Sequence, residues 1–167
     1  KPITALEHAS AVLVFNSDLP SEFTVAVNAI RKGAIHAGTD IIIANPRKVV
    51  FKNEAKTDIR LTFNYGADLA LINRICKILL EKKIVDEAKI KVAVPNLGDF
   101  VRSLSLYTAE YAEKITGLKD DLLIRSAERI GKNGDKFILC GNDVIENAQG
   151  EQVLNALLNL ATMIHYG

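Results

Sequence analysis

The sequence predicts an α/β fold, a three-layer Rossmann-like domain with a mostly parallel sheet and a helical insertion. Three observations carry that expectation. Two short runs, Ala11-Val12-Leu13-Val14-Phe15 and Ile41-Ile42-Ile43-Ala44, are apolar without alternation, as strands covered on both faces are. Between them Phe23, Ala26, Val27 and Ile30 recur at helical spacing, which makes the segment a βαβ unit of right-handed connection. Later in the chain, helical patterns alternate with further strand-like runs.

Taken in order, residues 3–9 read as a short helical turn, and Ala11–Phe15 as the first buried strand. Asn16–Pro20 is a loop. Ser21 is placed to cap a helix over residues 22–32, and Gly33 to end it. The second strand stops at Pro46, which has no N–H for a ladder and biases Asn45 toward extended backbone. Residues 49–57 are polar and basic without a period. Asp58–Phe63 alternates and reads as a third strand; Asn64-Tyr65-Gly66 is a turn, and residues 67–82 form a helix apolar nearly all round. Residues 86–130 make the helical insertion. Asp86 caps its first helix, Pro95-Asn96-Leu97-Gly98 breaks it, Thr108 and Gly117 bound a helix over 109–116, and Gly131 ends another. Lys136–Cys140 is the last strand, and residues 151–165 the last helix. We read residues 1–167 as a single α/β domain.

The 167 residues carry a net charge of +1, which gives no bulk electrostatic case for nucleic acid or an anionic membrane. No apolar run approaches the roughly 20 residues of a membrane span, so direct membrane insertion is not expected. Cys76 and Cys140 form no Cys-x-x-Cys pair. They read as small buried apolar residues of a reducing compartment, which suits a cytoplasmic location. The first residues, Lys-Pro-Ile-Thr, suggest a piece of something longer.

No catalytic constellation stands out. His8, His36 and His165 are scattered, and neither a nucleophile elbow nor a P-loop is present. Asp120-Asp121 reads as a pair favouring a helix dipole, and Asp40 as a turn residue. What remains is a set of strand-exit loops: Asn16–Pro20, Ala44–Lys48, Tyr65–Asp68 and Gly141–Gly150. On one edge of a parallel sheet they would form a dinucleotide-sized crevice. Arg47 and Lys48 would meet a phosphate or carboxylate there. Gly66 would let the backbone approach a ligand. Asp68, at a helix start, would either favour the helix dipole or accept N–H groups from a guanine edge.

These residues resemble a known family. Val12-Leu13-Val14-Phe15 with Asn16–Pro20, Ile41–Lys48, and Gly66-Ala67-Asp68-Leu69-Ala70-Leu71 look like the α/β domain of molybdopterin oxidoreductases. Tyr107-Thr108-Ala109-Glu110, Ile115-Thr116-Gly117, Gln149-Gly150 and Ile164-His165-Tyr166-Gly167 follow in the same order. Within the family the nearest likenesses are formate dehydrogenase alpha subunits and the large subunit of bacterial NADH-quinone oxidoreductase. The resemblance implies a molybdopterin guanine dinucleotide held by the matching loops, at Ser17, Asp18, Asn45, Pro46, Arg47, Gly66, Asp68, Asn142 and Glu146. It also implies iron–sulfur clusters only in the rest of the parent chain. The implied partners are the remaining domains of the parent protein and the other chains of a respiratory complex, at the inner face of the membrane.

The chain departs from the family's pattern where the phosphates would lie. Asn16 and Asp18 stand where the first loop usually opens with Gly and includes Asn; Asn45 replaces an Asp; Asn142, Asp143 and Glu146 replace a Met, a Gly and a Gln. Each unpaired acid within about 5 Å of a phosphate would cost on the order of 1–3 kcal/mol at intermediate dielectric. The sequence therefore leads us to expect a crevice that has lost, or nearly lost, its dinucleotide, in a domain without redox chemistry of its own.

Overall fold

The computed structural model describes residues 2–49, 58–93, 97–146 and 148–166. A 3-10 helix, Ile3–His8, leads into β1 (Ala11–Phe15), α1 (Leu19–Glu22), α2 (Thr24–His36), β2 (Asp40–Ala44), β3 (Asp58–Leu61) and α3 (Asp68–Glu81). The insertion follows as α4 (Glu87–Ala93), α5 (Leu97–Ser103), a 3-10 turn (Leu104–Leu106), α6 (Ala109–Thr116) and α7 (Asp120–Ile130). The chain closes with β4 (Lys136–Cys140), α8 (Asn142–Glu146) and α9 (Gly150–Tyr166).

The strands lie in the order β3-β2-β1-β4, every described pair parallel. Leu13 sits opposite both Ile42 and Ile138, and Ile42 opposite Ile59. Because side chains alternate along a strand, this register sorts the apolar residues onto two faces. Leu13, Phe15, Ile42, Ala44, Ile59 and Leu61 join the core under α3, α7 and α9. Val12, Val14, Ile41 and Ile43 join the core under α2 and the first 3-10 helix. Helices on both faces of a parallel sheet give the expected three layers. No helix among the described residues is long and apolar enough to cross a membrane.

Most boundaries agree with the sequence reading to within a residue or two. Asp86 Oδ1 accepts from the backbone N–H of Ala88 at 3.0 Å. Thr108 accepts from Tyr111 N at 3.2 Å, and Gly117 ends α6 in the left-handed region at φ 74°. Of the expected break at 95–98, Leu97 and Gly98 instead open α5, while positions 95 and 96 and the basic stretch 50–57 lie outside the described residues.

Several local expectations are corrected. The helix expected over 22–32 is interrupted at Phe23, which has φ −139° and separates α1 from α2. Ser21 is therefore not its cap; it lies in α1 and its hydroxyl donates to Asp18 Oδ2 at 2.8 Å. Gly33 does not end α2, which runs on to His36. A Cβ at Gly33 would stand 2.8 Å from the carbonyl oxygen of Leu6 and 2.7 Å from Thr39 Oγ1, so glycine serves the close approach of the first 3-10 helix. Asp40 is not a turn residue: it is buried at the start of β2 and accepts from Arg129 Nη1 at 2.8 Å and Lys132 Nζ at 2.5 Å. Asp120 does more than favour a dipole, since it holds Arg74 of α3 by two bonds of 2.7 and 2.8 Å. Cys140 is only half-buried, whereas Cys76 is fully buried.

Candidate functional site: the crevice at the strand ends

All four strands run the same way, so their exits share one edge of the sheet. The first exit is anchored tightly. Asn16 takes a left-handed backbone at φ 46°, which asparagine tolerates better than most residues. Its N–H donates to Ala44 O at 2.9 Å, while the Gly141 N–H donates to Phe15 O at 3.0 Å. A Cβ on Gly141 would sit 2.2 Å from the Asn16 carbonyl oxygen, so only glycine lets the β1 and β4 exits close on one another. At the β2 exit, Asn45 Oδ1 accepts from Arg47 N at 2.8 Å and its Nδ2 donates to Ser17 O at 3.4 Å.

A cleft of about 330 Å³ opens at this edge. Pro46, Arg47, Gly66, Asp68 and Glu146, five of the residues anticipated from sequence, line it together. Asn16, Tyr65 and Asp143 line it as well. Asn16 and Asp143 had a sequence signal, as replacements in the two loops; Tyr65 had only its place beside Gly66.

The other anticipated residues do not line the cleft. Ser17 is wholly buried and its hydroxyl has no partner among the described residues. Asn45 is buried and holds two loops together. Asp18 is spent on α1, accepting from Ser21, and Asn142 gives its backbone N–H to Glu22. Lys48 lies on a smaller neighbouring cavity with Arg60 and Thr62, so the expected pair of cations at the crevice is reduced to Arg47.

The electrostatics of the cleft are acidic. Three carboxylates, Asp68, Asp143 and Glu146, line it against one guanidinium, and that guanidinium, of Arg47, is paired with Asp143. Asp68 is the first residue of the fourteen-residue α3 and is buried, so its charge already occupies the positive end of that helix. Asn16 Nδ2 donates to Asp68 Oδ1 at 2.5 Å, leaving Asn16 Oδ1 buried and without a partner among the described residues.

Glu22 does not line the cleft but ties together two of the loops beside it, and no sequence signal pointed to it. One oxygen of its carboxylate accepts from Asp18 N at 3.0 Å and the other from Asn142 N at 3.3 Å. These backbone donors belong to the loops after β1 and β4. Backbone N–H groups at such positions are what a bound phosphate uses, and here an internal carboxylate has them. The donor set does not suit a pyrophosphate. Among the described residues no group of three His, Cys, Asp or Glu side chains is arranged to hold a metal ion.

A parallel sheet with helices on both faces and a crevice beyond its strand ends defines an α/β domain of the nucleotide-crevice class. The chain belongs to the molybdopterin oxidoreductase family, whose model matches residues 1–166. It is 30% identical over 158 residues to the probable oxidoreductase YjgC of Bacillus subtilis, covering 95% of this chain and 16% of that protein. It is 24% identical over 161 residues to formate dehydrogenase H of Escherichia coli, covering 96% and 22%. Among solved structures, acetylene hydratase from Pelobacter acetylenicus superposes with a TM-score of 0.78 at 15% identity, over 99% of this chain and 24% of that one. The chain thus spans about a sixth to a quarter of the length of these proteins.

Proposed function

We propose that this chain is a structural α/β domain in the large subunit of a multi-subunit respiratory oxidoreductase, of the kind represented by NADH-quinone oxidoreductase. Its crevice no longer holds a guanine dinucleotide. The observation that carries this reading is the Glu22 carboxylate on the amides of Asp18 and Asn142. The pairing of Arg47 with Asp143 supports it, because the cleft keeps no uncommitted cation among its described lining residues. In this reading the domain supplies packing surface to the remaining domains of its parent protein and to partner chains. Electron transfer belongs to iron–sulfur clusters elsewhere in the parent chain, on the cytoplasmic side of the membrane.

A second reading is the dinucleotide-binding domain of a formate dehydrogenase alpha subunit. The activity for which the Escherichia coli relative is named favours it, as does the placing of Asp68 and Asn16, both acceptors, on the cleft. There Asp68 would meet the guanine base.

Melting the full-length protein with added GDP separates the two. A ligand at about one hundred times its Kd stabilises by about 2.7 kcal/mol, a shift of several degrees. The structural reading predicts no shift at millimolar GDP. A shift that disappears in Asp68→Ala supports the formate dehydrogenase reading.

A further inference from the structure

The two edges of the sheet are built differently. β3, at one edge, carries the exposed charge of Arg60 in mid-strand, the kind of residue that keeps a free edge from pairing with another strand. β4, at the other edge, continues after Lys136 as Phe137-Ile138-Leu139-Cys140, with no charge and no proline, and all five of its residues are half-buried. Lys136, its one charge, is turned onto α9, where Nζ donates to Ile164 O at 2.8 Å. The Gly141 N–H donates to Phe15 O, and backbone direction alternates along a parallel strand. The N–H groups of Phe137 and Leu139 therefore face β1, and that of Ile138 faces outward, where no described strand lies. Beside this edge a cavity of about 270 Å³ opens between β4 and the end of α9, with Ile138, Ala161 and Ile164 among its apolar lining.

Resting on the reading that the domain packs inside a longer parent protein, we propose that the β4 edge is a strand-docking site. An extended apolar segment from the rest of the parent protein pairs with Lys136–Leu139 and places an apolar side chain in the cavity between Ile138 and Ala161. Main-chain bonds hold such a segment and the cavity selects its side chain. The order β3-β2-β1-β4 fills the first four places of the doubly wound dinucleotide fold, in which the next strand lies beyond β4 and parallel to it. The relatives have the chain to supply it, since the matched region is 16% of the Bacillus subtilis protein and 22% of formate dehydrogenase H. The cavity lies at the start of β4 and the crevice at its exit, so the GDP titration and the edge are read separately, and either reading can fail without the other.

The test is residue-resolved amide hydrogen exchange on the full-length protein. The outward amide of Ile138 is expected to exchange about 100-fold or more slower than an unstructured peptide, as the β1-facing amide of Leu139 does. Exchange of Ile138 without protection overturns the proposal. Ala161→Arg, which puts a long charged chain into the cavity, is expected to speed Ile138 exchange about tenfold or more and to lower the Tm by several degrees. Protection kept at Leu139 in that variant shows that the sheet is intact. Val25→Arg, at a 68% exposed position on α2, is the control and is expected to change neither reading. Ala161→Arg that leaves Ile138 exchange as in the parent overturns the proposal, because the cavity is then open to solvent. Protection of Ile138 that is lost on dilution overturns it too, by assigning the edge to a second copy of the protein.

Discussion

Glu22 and Asn142 stand 120 residues apart, yet the Glu22 Oε2 carboxylate oxygen accepts the backbone N–H of Asn142 at 3.3 Å. The other oxygen takes the N–H of Asp18. One side chain thus ties the exit of β1 to the exit of β4. Glu22→Ala is expected to free both amides and to lower stability by about 0.5–1.5 kcal/mol, the net worth of such bonds. Pyrophosphate should then protect the variant against thermal unfolding and leave the parent unaffected. Equal protection of both proteins would show that Glu22 blocks nothing.

Gly141 is the second element of that junction. A methyl group there meets the backbone of Asn16 and Ser17, which cannot rotate away. Gly141→Ala is expected to cost about 2–3 kcal/mol, in the range of overpacked cores. Urea unfolding measures it, with Gly98→Ala, where no described residue lies within 4 Å of the added carbon, as the control.

Arg74 and Asp120 join α3 to α7 across the core. Arg74 is nearly buried, and Asp120, reinforced by Glu81, holds its guanidinium charged above the ordinary arginine range. Asp120→Ala leaves that charge half-paired and is expected to cost about 2–4 kcal/mol, less than a fully buried pair because Glu81 remains in solvent. The midpoint of urea unfolding reads the loss. A change under about 0.5 kcal/mol, ordinary for a surface substitution, would contradict it.

The fold was legible because its signals are redundant. Three consecutive isoleucines after a helix of matching apolar stripe favour a strand buried on both faces, and Thr108 and Gly117 mark the α6 ends by local chemistry alone. The interior ion pairs were not legible. Arg74 with Asp120 and Asp40 with Arg129 are long-range partnerships, and nothing local distinguishes them from solvated charges. The crevice was half legible: strand-exit position places Pro46, Arg47, Gly66, Asp68 and Glu146 together. It says nothing of Glu22, whose bond to Asn142 is long-range and whose bond to Asp18 belongs to a short helix ended by a break at Phe23 that the pattern does not show.

Burial raises the Cys76 thiol from its ordinary 9.0 to about 12. The folded state therefore holds this proton more tightly than the unfolded chain. The stability it contributes is complete below pH 9 and falls as pH rises from 9 toward 12. A chromogenic disulfide reagent at pH 8 should label Cys140 in the native protein, and Cys76 only after denaturant is added. Rapid labelling of both would place Cys76 outside the core.

With the amides of Asp18 and Asn142 and the guanidinium of Arg47 already paired within the chain, the proposed reading leaves a dinucleotide without donors there. Calorimetric titration of the full-length protein with GDP tests this most directly. No heat of binding up to about 1 mM is the predicted result. Saturable binding with a Kd in the micromolar range would contradict it.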